Sequence, residues 1–335
     1  MTATTAPTPA TAPESDVPGV LTVRDLVVEF PVGRRGQKVH AVSGIDLELA
    51  GGETLGILGE SGCGKSSLGR ALIQLPPPTS GSVRLGGTEL TELPAGELRR
   101  VRSRMQVILQ DPVSALNPRR KVRDLVAEGL AIWGGDGRGA DERVREVLAA
   151  VGLDFDAVAD RRAHELSGGQ CQRVCIARAL MLDPEVLVCD EPVSSLDVSV
   201  QAQILNLLEE AKRRHGLSMV FIAHDVAVVK NISDRVLVMY LGKACEVLPS
   251  DGLHLRALHP YTRLLLGSIP GEETRAPAPG IAGETAPELP SPLDPPSGCR
   301  FRTRCPLADR TCADEEPPLR EVAPGHFLAC HHVEP

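Results

Sequence analysis

The run Gly59-Glu60-Ser61-Gly62-Cys63-Gly64-Lys65-Ser66 constrains this chain more than any other feature, because of what stands on either side of it. Thr54–Leu58 before it is a short apolar run, and an apolar helical stretch opens at Ser67. A strand that enters a glycine-rich turn and then a helix aims successive backbone N–H groups, and the positive end of the helix, at one small volume. Such a cradle suits a phosphate group, with Lys65 reaching the outer phosphates and the Ser66 hydroxyl a divalent cation. It also requires a fold whose strand ends lie open at one edge, as in a parallel sheet wrapped by helices.

Composition agrees with that fold. Aromatic residues are only 2% of the chain while hydrophobic residues are 42%, so the core is built from Val, Leu, Ile and Ala, as in buried parallel strands covered by helices. With 335 residues there is room for one large domain of about 200 to 250 residues and a smaller appendage. Three more apolar runs, Met105–Leu109, Val186–Cys189 and Met219–Ala223, end directly in polar sequence and read as buried strands. Residues 199–215 read as a helix with Ile204, Leu205, Leu207 and Leu208 on one side, basic residues Lys212, Arg213 and Arg214 in its last turn, and Gly216 as its stop. The pattern from about 118 to 165 is helical and holds the single Trp, Trp133, beside a glycine-rich break; it reads as a helical subdomain inserted into the α/β core.

Other segments bound the possibilities. Residues 1–19 have neither a basic n-region nor an apolar stretch, so they read as a disordered tail rather than a signal peptide or anchor. No run of about 18 apolar residues occurs, so a membrane role has to be played through partner subunits. The net charge of −8 argues against a broad grip on nucleic acid, which depends on Lys and Arg neutralising phosphates. Pro270–Gly298 is rich in Pro, Gly and Ala and reads as a linker or crossing segment. Of the nine cysteines, Cys63, Cys171, Cys175, Cys189 and Cys245 are scattered in a way that suits a reducing compartment.

Two further motifs carry chemistry. Val186–Cys189 ends in Asp190-Glu191, where Asp190 fits a direct or indirect Mg²⁺ partner and Glu191 can polarise an attacking water. Leu166-Ser167-Gly168-Gly169-Gln170 is an open helix start that can hold a phosphate. Taken in this order, the phosphate loop, this string and the acidic strand resemble the ABC ATPases. The resemblance implies that Ser167, Gly168, Gly169 and Gln170 cap the nucleotide of a facing subunit, so that one subunit cannot complete its own site. It also implies that Gln110 is the Q-loop glutamine, touching Mg²⁺ and water, that His224 is the switch histidine on the γ-phosphate, and that Asp197 is the D-loop aspartate at the dimer interface. Phe30 is either an aromatic that stacks on adenine, as in that family, or a core residue.

The resemblance narrows further. Gln110-Asp111-Pro112-Val113-Ser114-Ala115-Leu116-Asn117-Pro118-Arg119, Cys171–Arg178, His224–Lys230 and His259-Pro260-Tyr261-Thr262 resemble the ATP-binding subunits of bacterial dipeptide and oligopeptide importers, the second, F-type, subunit above all. The expected fold is α/β: a P-loop NTPase ABC ATPase core at 20–250 with an antiparallel β subdomain and the inserted helical signature subdomain. A small cysteine-containing C-terminal domain follows at 251–335. The nucleotide site would comprise Gly59, Glu60, Ser61, Gly62, Cys63, Gly64, Lys65, Ser66 and Ser67, with Phe30, Gln110, Asp190 and, from across the interface, Ser167–Gln170 and Asp197. Glu191, His224 and Gln110 would be catalytic, and Ser66, Gln110 and Asp190 would hold Mg²⁺ beside ATP. Implied partners are a second ABC ATPase subunit, two transmembrane permease subunits and, indirectly, an extracytoplasmic peptide-binding protein, with no nucleic acid. The place of work would be the cytoplasmic face of the membrane. Nickel or other peptide-like cargo is the alternative, and a soluble ABC ATPase acting on DNA or ribosomes the alternative of another class.

Four cysteines remain. Cys299, Cys305, Cys312 and Cys330 can surround one metal centre, and thiolates in a reducing compartment suit zinc or an iron–sulfur cluster. His331 and His332 can replace thiolates on zinc, and free thiols packing a small domain are the plain alternative. The family resemblance favours a [4Fe–4S] cluster.

Overall fold

The computed structural model describes residues 19–33, 36–133, 139–267 and 289–333. The expected tail at 1–19, save its last residue, lies outside the described residues, as do the break after Trp133 and most of the Pro270–Gly298 stretch. In chain order the strands are β1 (Leu21–Val32), β2 (Gln37–Leu49), β3 (Thr54–Leu58), β4 (Ser80–Leu85), β5 (Thr88–Glu89) and β6 (Met105–Ile108). They continue with β7 (Val186–Asp190), β8 (Ser218–Ala223), β9 (Arg235–Tyr240), β10 (Lys243–Pro249), β11 (Arg320–Ala323) and β12 (His326–Leu328).

These strands form two sheets. One has four strands in the order β2-β1-β4-β5 and is antiparallel throughout; the other has eight, in the order β11-β12-β10-β9-β3-β8-β7-β6. Its five strands from β9 to β6 are parallel, and β10, β12 and β11 extend it antiparallel. Residues from the 251–335 segment thus continue the main sheet, with Glu246 opposite Leu328 and Val247 opposite Phe327.

The period-2 rule of a strand decides which core each side chain joins. Leu55, Ile57, Val188, Val220, Ile222, Leu237 and Met239 face a core shared with the antiparallel sheet and the helix Lys65–Leu72. Leu58, Leu187, Cys189, Phe221, Val238 and Tyr240 face the opposite core, filled by the helix Gly168–Leu180 and by Val122, Leu125, Val144, Val147 and Leu148 of the short helices before it. Every residue of β3, β7 and β8 is buried, which explains why they read as unbroken apolar runs. The helix expected at 199–215 starts one residue earlier, Val198–His215, and stops at Gly216, whose φ of 63° is the left-handed conformation a helix end favours.

Because β3, β6, β7 and β8 run parallel in close register, their carboxyl ends share one edge. Leu58 lies opposite Ala223, Asp190 opposite Ile222 and Ile108 opposite Cys189. The residues that follow each strand therefore emerge side by side, and they are the ones the motifs singled out.

The close packing behind that edge gives a test of the fold. A Cβ on Gly56 in β3 would stand 2.3 Å from Ser233 Oγ and 2.6 Å from Val229 Cγ1, both on or just after the helix Val226–Ile232 that follows His224. Gly56→Ala is expected to lower stability by about 1 to 3 kcal/mol, the usual cost of overpacking, read as a lower denaturant midpoint at unchanged slope.

Candidate functional site

A cavity of about 500 Å³ opens at this edge, lined by Ser61, Gly62, Gly64, Lys65, Ser66 and Ser67 on one side and Gln110, Glu191 and His224 on another. Phe30, Val39, Ala41 and Pro292 close the remaining wall. The loop can turn this tightly because Gly64 sits at φ 105°, where a Cβ would come within 2.0 Å of the Ala41 carbonyl oxygen. Lys65 is buried at 4% exposure, and its Nζ donates to the carbonyls of Gly59 at 2.7 Å and Glu60 at 2.9 Å. The loop's amides and this ammonium together make the floor of an anion site.

Ser66 Oγ donates to Asp190 Oδ1 at 2.7 Å. Asp190 is buried, and burial pushes its carboxyl above the usual range against the pull of the Ser66 hydroxyl and of Arg70. Its Oδ2 has no hydrogen-bond partner and only the Arg70 guanidinium at 3.7 Å. An orphaned carboxylate oxygen beside a serine hydroxyl and a phosphate loop is a donor set that fits Mg²⁺, which takes oxygen ligands and shares them with phosphates.

Three strand ends meet at Glu191. Its Oε2 lies 3.2 Å from Gln110 Nε2 and 3.2 Å from His224 Nδ1. Its backbone is held at φ 49°, a left-handed conformation that a glutamate rarely adopts, and its N–H donates to Ile222 O of β8 at 3.0 Å. Such a backbone persists where its surroundings hold it, here through the Ile222 hydrogen bond and the two contacts of the carboxylate.

Ser167 to Gln170 do not line the cavity. They form an exposed start to the helix Gly168–Leu180, where Ser167 Oγ accepts the Gln170 N–H at 3.3 Å and Gln170 Oε1 accepts the Ser167 N–H at 3.0 Å, a reciprocal capping box. Asp197 is likewise exposed, ahead of the helix Val198–His215, and its side chain makes no capping bond there. Phe30 is half-buried and borders the cavity.

Around the phosphate loop stand residues that sequence reasoning did not assign to the site. Tyr261 Oη accepts the Glu60 N–H at 2.8 Å, and Arg304 pairs with the Glu60 carboxylate. The Tyr261 contact joins positions 201 apart and the Arg304 contact positions 244 apart, so no local pattern signals them. His259 is fully buried, and burial pushes its imidazole down to about 4, so its neutral Nδ1 accepts the Tyr261 N–H at 3.0 Å.

The four terminal cysteines gather near this site. The Cys299 N–H donates to the Cys312 carbonyl at 2.8 Å, and burial pushes the Cys299 and Cys305 thiols up to about 11, with the neighbouring Cys312 and Cys330 thiols adding to it. Among the described residues, the group of possible metal ligands with all donor atoms within 4.8 Å of one another is Asp309, Cys312 and His332. His331 instead meets the Glu315 carbonyl, at 3.1 Å.

Comparison with known proteins agrees with the geometry. Residues 42–194 match the ABC transporter family, and residues 245–312 match the oligopeptide/dipeptide transporter C-terminal region. The chain is 46% identical over 319 residues to the oligopeptide transport ATP-binding protein AppF of Bacillus subtilis, covering 93% of this chain and 97% of that protein. It is 46% identical over 325 residues to OppF of Escherichia coli, covering 94% and 97%. Among solved structures, a dimeric ATP-binding cassette in a post-hydrolysis state with ADP and Pi aligns with a TM-score of 0.63 at 26% identity, over 69% of this chain and 98% of that one. A cassette of the cbiONQ transporter complex of Clostridium perfringens aligns with a TM-score of 0.61 at 27% identity, over 70% and 90%. With its strand-edge phosphate loop, acidic strand and importer-type C-terminal region, the chain belongs to the ATP-hydrolysing subunits of ABC-type oligopeptide and dipeptide importers.

Proposed function

We propose that this chain binds MgATP at the Lys65 loop, pairs head to tail with a second ABC ATPase subunit, and drives peptide import through two transmembrane permease subunits supplied by an extracytoplasmic peptide-binding protein. The observation that carries the reading is the meeting of Glu191, Gln110 and His224 in the same cavity as Lys65 and Ser66. Lys65 and the loop amides hold the β- and γ-phosphates, and Phe30 borders the place where the base lies. Ser66 and Asp190, with Gln110, would hold Mg²⁺, which neutralises phosphate charge when bound. Glu191 takes a proton from the attacking water, while His224 and Gln110 orient the carboxylate and the γ-phosphate.

The exposed Ser167–Gln170 helix start offers amides to the nucleotide of the partner subunit, and Asp197 lies at that interface. Closure around two nucleotides would move the Gln110 loops and with them the permeases; hydrolysis would reset the pair. We read 20–250 as the ATPase domain, about 118–165 as its helical part and 251–335 as the importer-specific domain. Among the described residues no helix is long and apolar enough to cross a membrane; the importer reading itself puts the chain peripherally on the cytoplasmic face. In proteoliposomes holding this chain, its ATPase partner and its permeases, peptide-loaded binding protein is expected to stimulate ATP turnover severalfold. Stimulation by a nickel-loaded binding protein alone would contradict peptide import.

Cys299, Cys305, Cys312 and Cys330 would hold a [4Fe–4S] cluster. The Cys299 N–H bond to the Cys312 carbonyl ties two of these cysteines together, and an all-thiolate set suits a cluster. When bound, the cluster supplies a covalent staple to a segment poor in apolar side chains. Protein purified without oxygen is expected to contain iron and inorganic sulfide in equal amounts, both lost in Cys305→Ser; zinc without iron would contradict the cluster.

A further inference from the structure

The loop between Cys299 and Cys305 reaches the phosphate loop from behind. Its Phe301 is 1% exposed and sits edge-on to Tyr240, with ring centroids 5.2 Å apart, and 5.3 Å from Tyr261. This aromatic anchor fixes the direction of the arginine three residues on. The Arg304 side chain, 7% exposed, meets Glu60 with both terminal nitrogens, Nη1 to Oε2 at 2.8 Å and Nη2 to Oε1 at 3.0 Å. The Glu60 hydrogen bonds hold the guanidinium firmly charged despite burial. A planar fork on a carboxylate is the strongest side-chain ion pair available, and it sets orientation as well as charge. On the other flank Arg300 Nη1 donates to Leu241 O, in the turn whose Gly242 N–H donates to Cys63 O at 2.8 Å. The cysteine-bearing loop therefore grips the phosphate loop on both sides.

Glu60 poses a problem that this grip solves. A carboxylate inside a loop built to attract a polyphosphate repels the ligand, and it does so strongly where water is partly excluded. Glu60 also supplies one of the two carbonyls that receive Lys65 Nζ, so movement of its backbone would move the lysine. Arg304 cancels the charge, while Tyr261 Oη takes the Glu60 N–H and fixes the path of the chain.

We propose that Arg304 is a positioning residue for nucleotide binding: from the cysteine-bearing loop it neutralises Glu60 and sets the phosphate loop in its anion-accepting shape. Nucleotide affinity is then partly set by the C-terminal segment. The proposal rests on the reading that the Lys65 loop binds magnesium nucleotide, and the test separates the two.

Full-length protein is titrated calorimetrically with MgADP, which binds without turnover. Arg304→Gln is expected to weaken binding about tenfold, in line with loss of one partner of a buried charge pair. In a Glu60→Gln background, where no carboxylate is left to repel phosphate, the same change is expected to cost less than about twofold. Arg304→Lys keeps the charge and loses the fork, so about a threefold loss is expected, again absent with Glu60→Gln; it serves in place of Arg304→Gln if circular dichroism shows that variant unfolded. A penalty equal in both backgrounds would mean that Arg304 acts only in folding and would overturn the proposal, as would no penalty in either. Failure of the native chain to bind MgADP would instead overturn the nucleotide-site reading.

Discussion

Glu191→Gln is expected to cut ATP turnover about 10³-fold while leaving MgATP affinity within about twofold, because a positioned general base contributes roughly 10² to 10⁴. The carboxylate stands where two other strand-end side chains meet it. Its Oε2 stands 3.2 Å from both Gln110 Nε2 and His224 Nδ1. An amide of the same shape preserves the packing and removes the proton acceptor, so nucleotide still enters against Lys65 and Ser66. Phosphate release by the assembled subunits, set beside calorimetric MgATP binding, measures both halves. A variant that hydrolyses ATP at the native rate would show that another group takes the proton.

Much of this site can be read from the sequence because strand-end chemistry is local. His224 follows its apolar run at once, Glu191 one residue on and Lys65 after the glycine-rich turn Gly59–Gly64, and a parallel sheet forces the ends of such runs to one edge. Gln110 stands two residues beyond the end of β6 at Ile108 and still reaches the same point. What could not be read depends on contacts between distant segments. Nothing near Glu60 announces that its charge is cancelled by Arg304 or that Tyr261 fixes its amide. Nor does the sequence of Arg320–Ala323 and His326–Leu328 predict that this hairpin joins the main sheet through β12, since β12 pairs with β10 some 80 positions away, the separation of Glu246 and His326. The position of Ser167 outside the cavity is of a third kind: its local cap is legible, but its ligand would belong to another subunit.

That separation leads to the second large effect. Ser167→Arg is expected to reduce turnover of the assembled ATPase pair by at least about 10²-fold, since a donor lost where charge develops costs that much and the long side chain also fills the space meant for phosphate. The residue is exposed at a helix start, and its cap bonds to Gln170 stay within a single turn, so the change should leave the fold intact. A bulky cation at that point should obstruct only the facing subunit's nucleotide, because the chain's own cavity is built without it.

The most direct measurement therefore takes the Ser167→Arg protein through two assays, MgADP binding by the isolated chain and ATP turnover by the correctly paired subunits. A site completed across an interface predicts native affinity in the first and near-complete loss in the second. Native turnover in the pair, or collapse of binding in the isolated chain, would contradict it.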